Sequence, residues 1–136
     1  MPDQNLIIVG GTSSGAHAAP YSQYIRKMAD KFSNVTILGQ ISDDELLSLY
    51  SKCRGLLCTA INEDFGITPL EAMASGKPVI AVAEGGFLET VTPECGKLIS
   101  PRVTDIIDAV EKISSHPETY YEACMMRAAD FDIKVF

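Results

Sequence analysis

Asn62-Glu63-Asp64-Phe65-Gly66-Ile67-Thr68-Pro69-Leu70-Glu71-Ala72-Met73-Ala74-Ser75-Gly76-Lys77-Pro78-Val79-Ile80-Ala81 is the stretch that decides how this chain folds. It reads as a loop, a helix start, a helix stop and a strand in direct succession. Thr68 has the character of an N-cap, Pro69 of a first helical residue, and Glu71 stands where a capping-box acid would. Gly76 is placed to end the helix, and the apolar run that follows Pro78 predicts a buried strand. Free backbone N–H groups and the positive end of the helix dipole then lie just after Gly66, where an anion is favoured and the missing Cβ lets it approach. Glu63 and Glu71 flank that point. They would repel a bare phosphate, but a ligand with phosphate in the middle and hydroxyl-bearing sugars on both sides would use all three features. Plainer explanations exist: Glu71 could return a hydrogen bond to Thr68, and Glu63 could be a solvated loop residue.

Outward from this stretch, short apolar runs alternate with helical patterns. Leu6 to Val9, ending in Gly10-Gly11, predicts a strand buried on both faces. Pro20 opens a helix with Tyr21, Tyr24, Ile25, Met28 and Phe32 on one side. Val35 to Leu38 is the next strand, and Ser42-Asp43-Asp44-Glu45 is a capping box leading into Leu46, Leu47 and Tyr50. Leu56 to Thr59, Val79 to Val82 and Lys97 to Ile99 complete the strands. Helices are expected over Pro69 to Ser75, Asp105 to Ser114 and Glu118 to Ala128. Strict alternation of this kind predicts an α/β fold with a doubly wound parallel sheet, whose ligands gather at the carboxyl ends of the strands. The glycine-rich or polar loops Gly10 to Gly15, Gly39 to Ser42, Ala60 to Thr68 and Ala83 to Gly86 all fall on that edge.

Composition excludes several classes. The 136 residues suffice for about one domain, and 46% hydrophobic content supports a packed core. A formal net charge of −7 argues against a nucleic-acid partner, which needs clustered Lys and Arg. No apolar run is long enough for a membrane span and no secretory leader pattern opens the chain, so a cytoplasmic protein is expected. Cys53, Cys58, Cys95 and Cys124 lack C-x-x-C spacing and read as reduced thiols. His17 and His116 are isolated, and no metal site is expected.

The quoted stretch, followed by Gly85-Gly86-Phe87-Leu88-Glu89-Thr90-Val91, resembles the donor-binding half of the family 4 retaining glycosyltransferases, which carry two Glu separated by seven residues. Leu6 to Gly11, Val35 to Gln40 and Glu45 to Tyr50 match in order and spacing, so the resemblance runs along nearly the whole chain. It implies the C-terminal, Rossmann-like half of a two-domain B-type glycosyltransferase fold, and transfer of a hexose from a nucleoside diphosphate sugar with retention of configuration. By this resemblance Glu63 and Glu71 are the catalytic-site carboxylates. Glu63 holds donor-sugar hydroxyls and Glu71 holds ribose hydroxyls, while Asp64, Phe65, Gly66, Ile67 and Thr68 bind the donor sugar and diphosphate. Gly39, Gln40, Ile41 and Asp43 would contact the base. Similarity to mannosyltransferases of surface-polysaccharide and lipid-linked glycan assembly suggests GDP-mannose as donor, with UDP-sugars still open. The substrate is thus a nucleotide sugar, no separate cofactor is implied, and the acceptor is a glycan or lipid-linked sugar.

The family's Gly-Arg-Leu turn and Lys-Gly pair, which neutralise the diphosphate, have no counterpart here. Arg26 and Lys27 fall within a helix and Lys77 after one. Residues 1–136 are therefore expected to be a donor-binding domain truncated at both ends, lacking its first strand and the N-terminal acceptor domain. Any peripheral contact with the inner face of a membrane would come through the missing part. Phe131-Asp132-Ile133-Lys134-Val135-Phe136 would begin a closing helix, and Leu6 to Val9 should not pair directly with Leu56 to Thr59. Two other readings stay open: a non-catalytic sugar-nucleotide-binding module, and another nucleotide-binding α/β enzyme such as an oxidoreductase, which the lack of a glycine fingerprint disfavours.

Overall fold

The computed structural model describes residues 3–11 and 18–135. In chain order the elements are β1 (Leu6–Val9), α1 (Ala18–Ala29), β2 (Val35–Gly39), α2 (Asp43–Lys52), β3 (Leu56–Cys58), α3 (Ile67–Ala74), β4 (Val79–Val82), α4 (Phe87–Thr90), β5 (Gly96–Ile99), α5 (Val103–Ser115), a 3-10 turn (Pro117–Tyr120) and α6 (Tyr121–Ala129). The alternation predicted from sequence is present, and every ladder is parallel. The chain divides into two compact units, Met1–Leu46 and Leu47–Phe136. The expected Thr12 to Gly15 part of the glycine loop, and His17, lie outside the described residues.

In the first unit β1 pairs with β2, from Leu6 opposite Val35 to Val9 opposite Gly39, with an irregularity between Ile8 and Val9. The expectation that β1 is buried on both faces is overturned. Leu6, Ile7 and Val9 are 41%, 47% and 37% exposed, and Tyr21, Tyr24 and Met28 on α1, with Phe32 just after it, are exposed too. The apolar pattern is real, but a two-stranded ladder offers few surfaces to cover it. The capping box is formed as predicted: Glu45 accepts from the Ser42 amide at 2.8 Å, and the Ser42 hydroxyl accepts from the Glu45 amide at 3.3 Å. The bonds from Ser42 hold the Glu45 carboxyl below its usual range.

The second unit carries the core. Its sheet has the order β3-β4-β5, so β4 is central, and all of Val79–Val82 is buried. Ile80 and Ile99 meet Ala109 and Ile113 from α5, with Leu57, Ile106, Val110 and Tyr120 packed around them. At about 1.5–3 kcal/mol for each fully buried aliphatic side chain, this cluster is what fixes the sheet to its helix. Helix α3 buries Pro69, Ala72 and Met73 and packs against α6. It stops as predicted: Gly76 takes φ 70°, its amide donates to Met73 O at 2.8 Å, and Lys77 N donates to Ala72 O at 2.9 Å. That pair of bonds is a Schellman motif. The ladder partner of β1 is β2 and that of β3 is β4.

Residues 131–135 do not form the expected closing helix. They make turns, in which the Asp132 carboxylate accepts the Lys134 amide at 2.9 Å and Asp132 O accepts the Val135 amide at 2.8 Å. An aspartate that captures a nearby amide offers the backbone an alternative to helix, and here it prevails.

Candidate functional site

The loops after β3 and β4 meet at the carboxyl edge of the second unit's sheet. Gly86 N donates to Glu63 O at 2.8 Å. The approach is close enough that a Cβ on Gly85 would overlap the Glu63 carbonyl, and one on Gly86 would overlap the Phe65 backbone. Gly86 has ordinary helical angles, φ −61° and ψ −18°, so its glycine is demanded by space and not by conformation. This function of the Gly85-Gly86 pair goes beyond the turn that its sequence suggests.

The helix start differs from the sequence expectation. Thr68 is not the N-cap: α3 begins at Ile67, and the cap is Gly66 in the left-handed region with φ 85° and ψ 54°. Thr68 and Pro69 are the second and third helical residues, and no side chain from Thr68 caps the helix. The acceptor comes instead from three residues before Gly66, where Glu63 Oε1 takes the Gly66 amide at 3.1 Å. Sequence reasoning looked for a hydroxyl at the helix boundary and missed a carboxylate that folds back onto it. Pro69 has no N–H, so the amides of Ile67 and Thr68 are the ones left by helix geometry without an intrahelical acceptor. Both residues are exposed, as are Asp64 and Phe65, while Gly66 is buried and Glu63 half-buried. A half-buried carboxylate thus stands beside the amides of two exposed residues.

Glu63 also lies close to the end of β3. Burial, and secondarily the Glu63 charge, push the Cys58 thiol up to about 12, so Cys58 stays protonated and inert. All four cysteines are free thiols. Among the described residues no group of three or more His, Cys, Asp or Glu side chains is placed to hold a metal ion.

Glu71 is the fifth residue of α3 and exposed. The capping explanation for it fails, because Thr68 is inside the helix. Its Oε2 instead accepts from the Tyr50 hydroxyl at 3.4 Å. Tyr50, on α2, is only 5% exposed. Burial, then the Glu71 charge, push its phenol well above the ordinary value, so it remains a donor. The sequence placed Tyr50 on an apolar helix face and held no signal for this second use.

In the first unit, the residues expected to contact a base lie at and after the carboxyl end of β2. Gly10 N donates to Gly39 O at 2.9 Å, which joins the ends of β1 and β2. Gly39 takes φ 75°, and Gln40 is exposed while Ile41 is half-buried. Asp43 is the exposed first residue of α2. The Arg26 guanidinium reaches the Gly39 position, 3.8 Å from where a Cβ would stand. His116 is exposed and faces Glu118 at 3.4 Å, far from any of these roles in character.

Open parallel α/β sheets bind their ligands outside the carboxyl ends of the strands, the edge at which the Glu63 loop stands, and sequence comparison supplies the family. The family model for glycosyl transferases group 1 matches residues 1–128, and the chain belongs to that family. It is 38% identical over 117 residues to the alpha-1,3/1,6-mannosyltransferase ALG2 of Dictyostelium discoideum, an alignment covering 82% of this chain and 28% of that protein. The chain thus spans between a quarter and a third of the length of such a relative. Sucrose-phosphate synthase from Thermosynechococcus elongatus superposes with a TM-score of 0.79 at 30% identity, over 92% of this chain and 33% of that one. HepE of Anabaena, solved in complex with UDP-glucose, superposes with a TM-score of 0.78 at 25% identity, over 99% and 39%. No helix among the described residues is long and apolar enough to cross a membrane.

Proposed function

We propose that this chain is the donor-binding part of a retaining hexosyltransferase that uses a nucleoside diphosphate sugar, with GDP-mannose as donor and a glycan or lipid-linked sugar as acceptor. The observation that carries the proposal is the α3 start: Glu63 half-buried at one side, the Ile67 and Thr68 amides without intrahelical acceptors, and Glu71 one turn further on. The mannosyl assignment is supported by the likeness to a mannosyltransferase, and the nucleotide-sugar assignment by the UDP-glucose complex of a neighbour.

The chemistry follows from these positions. The bond between the sugar C1 and the diphosphate oxygen breaks, and a bond forms from C1 to the acceptor oxygen on the same face. The acceptor proton passes to the departing phosphate. Charge gathers on the diphosphate as the bond breaks, and fixed amide dipoles at Ile67 and Thr68 stabilise that charge more than they stabilise the bound substrate. Glu63 orients the sugar hydroxyls beside the developing oxocarbenium ion and needs no proton-transfer role. Glu71 holds the ribose, with Tyr50 fixing its carboxylate. Gly39, Gln40, Ile41 and Asp43 of the first unit are assigned to the base by the family resemblance alone.

The test uses the complete polypeptide with GDP-mannose and UDP-glucose in parallel, binding measured by titration calorimetry and product anomers by NMR. Tighter GDP-mannose binding with an α-linked product is expected. UDP-glucose transfer in its place would overturn the donor assignment. Binding of neither would overturn the function.

A further inference from the structure

Phe65 is 41% exposed, yet its ring has a partner from the far end of the chain. That partner is Phe131, with ring centroids 5.9 Å apart and planes at 79° in an edge-to-face pair. Phe131 is itself held, because the Arg127 guanidinium lies over its face with Cζ 4.7 Å from the centroid. All three guanidinium nitrogens have acceptors. Nε donates to Thr90 O at 3.1 Å, Nη2 to Glu89 O, and Nη1 to Asp130 Oδ2 at 3.2 Å. The two carbonyls belong to the last residues of α4, where the negative end of a helix favours a cation.

These interactions close a circuit. Helix α4 is preceded by Gly86, which holds the Glu63 carbonyl, and ends at Thr90, which Arg127 grips. Arg127 then fixes Phe131, and Phe131 meets Phe65, two residues after Glu63. The loop that carries Glu63 is therefore tied to both ends of one short helix. A planar, permanently charged fork is needed for this, since a lysine ammonium could not serve two carbonyls, a carboxylate and a ring face together.

We propose that Arg127 and Phe131 are positioning residues for the donor loop 63–68, setting the placement of Glu63 and of the Ile67 and Thr68 amides without touching substrate. The catalytic consequence rests on the function proposed above. The placement itself does not.

The experiment compares Phe131→Ala, Phe131→Tyr and Arg127→Lys in the complete polypeptide. Hydrogen exchange followed by NMR reads the Gly66 and Gly86 amides, the two loop amides that Glu63 accepts, against those of β4, and steady-state kinetics with GDP-mannose reads kcat and KM. In Phe131→Ala the loop amides should exchange about tenfold faster, as expected for loss of an aromatic pair and its cation contact, with β4 unchanged. Donor kcat/KM should fall by about the same factor through both KM and kcat. Phe131→Tyr should restore both readouts, and Arg127→Lys should fall between. Loop exchange that stays at the parent rate, or loosens equally in β4, overturns the inference. If the parent protein neither binds nor turns over nucleotide sugars, the proposed function falls, while the exchange result still decides the positioning.

Discussion

Glu63 has two claims on its carboxylate, since it accepts the Gly66 amide and is also proposed to hold the donor sugar. Substitution to Gln separates the claims, because the amide oxygen can still accept from Gly66 while the charge is lost. Glu63→Gln is expected to raise the barrier to transfer by about 2–4 kcal/mol with nucleotide affinity nearly unchanged. Glu63→Ala should in addition lower stability by about 1 kcal/mol, because the Gly66 amide loses its acceptor. Parent-like turnover in Glu63→Gln, with weaker nucleotide binding, would contradict the assigned role. Glu71 is the converse case. With no cap to serve, Glu71→Gln should weaken binding of the nucleoside diphosphate by about 1–3 kcal/mol and leave thermal unfolding unchanged. Calorimetric titration and melting of one preparation decide it, and a lowered melting point with normal binding would return Glu71 to a structural role. Tyr50→Phe removes only the hydroxyl at 3.4 Å and should have a smaller effect of the same kind.

Among the elements, α3 is the one whose two ends were legible to different degrees. Its stop was readable because Gly76 must adopt φ 70°, a local demand that only glycine meets easily. Gly76→Ala is expected to destabilise by about 2–4 kcal/mol, combining left-handed strain with overlap onto the Tyr121 ring. Denaturant unfolding measures this, and a loss below the cost of strain alone would mean that the ring yields. The start of α3 was misread, since Thr68-Pro69 has the local form of a cap while the actual turn is made at Gly66 with a carboxylate from Glu63. Gly86 shows the same limit from another side. Its backbone angles suit any residue, and only its closeness to Phe65 forbids a side chain. Gly86→Ala should therefore displace the donor loop, which would appear as lower donor kcat/KM with the α3 and β4 amides still protected.

At the scale of the molecule, burial is concentrated in one unit. Every fully buried hydrophobic side chain among the described residues lies at or after Tyr50. Native-state hydrogen exchange on the 136-residue chain should thus find β4 the best protected strand. The amides of β1 should exchange at least about a hundredfold faster, since opening energies follow buried surface. Equal protection in both strands would show that the first unit has a core of its own. The same chain alone is expected to transfer no sugar, as it holds no match to the family's diphosphate-binding Arg and Lys. Mannose transfer by it would overturn that expectation.

The sequence by itself determined the alternation of strands and helices, the parallel α/β class, the family and the pair of carboxylates beside a helix start. Each of those is written in local periodicity, in turn chemistry or in a short spacing. Only the tertiary structure decided what each carboxylate touches: Glu63 the Gly66 amide, and Glu71 the Tyr50 hydroxyl. It likewise decided that the apolar residues of β1 are largely exposed, and that Arg127 and Phe131 reach back to Phe65. Those outcomes depend on which surfaces meet after folding. A pairing of residues as far apart in the chain as Phe65 and Phe131 leaves no periodic trace in either segment.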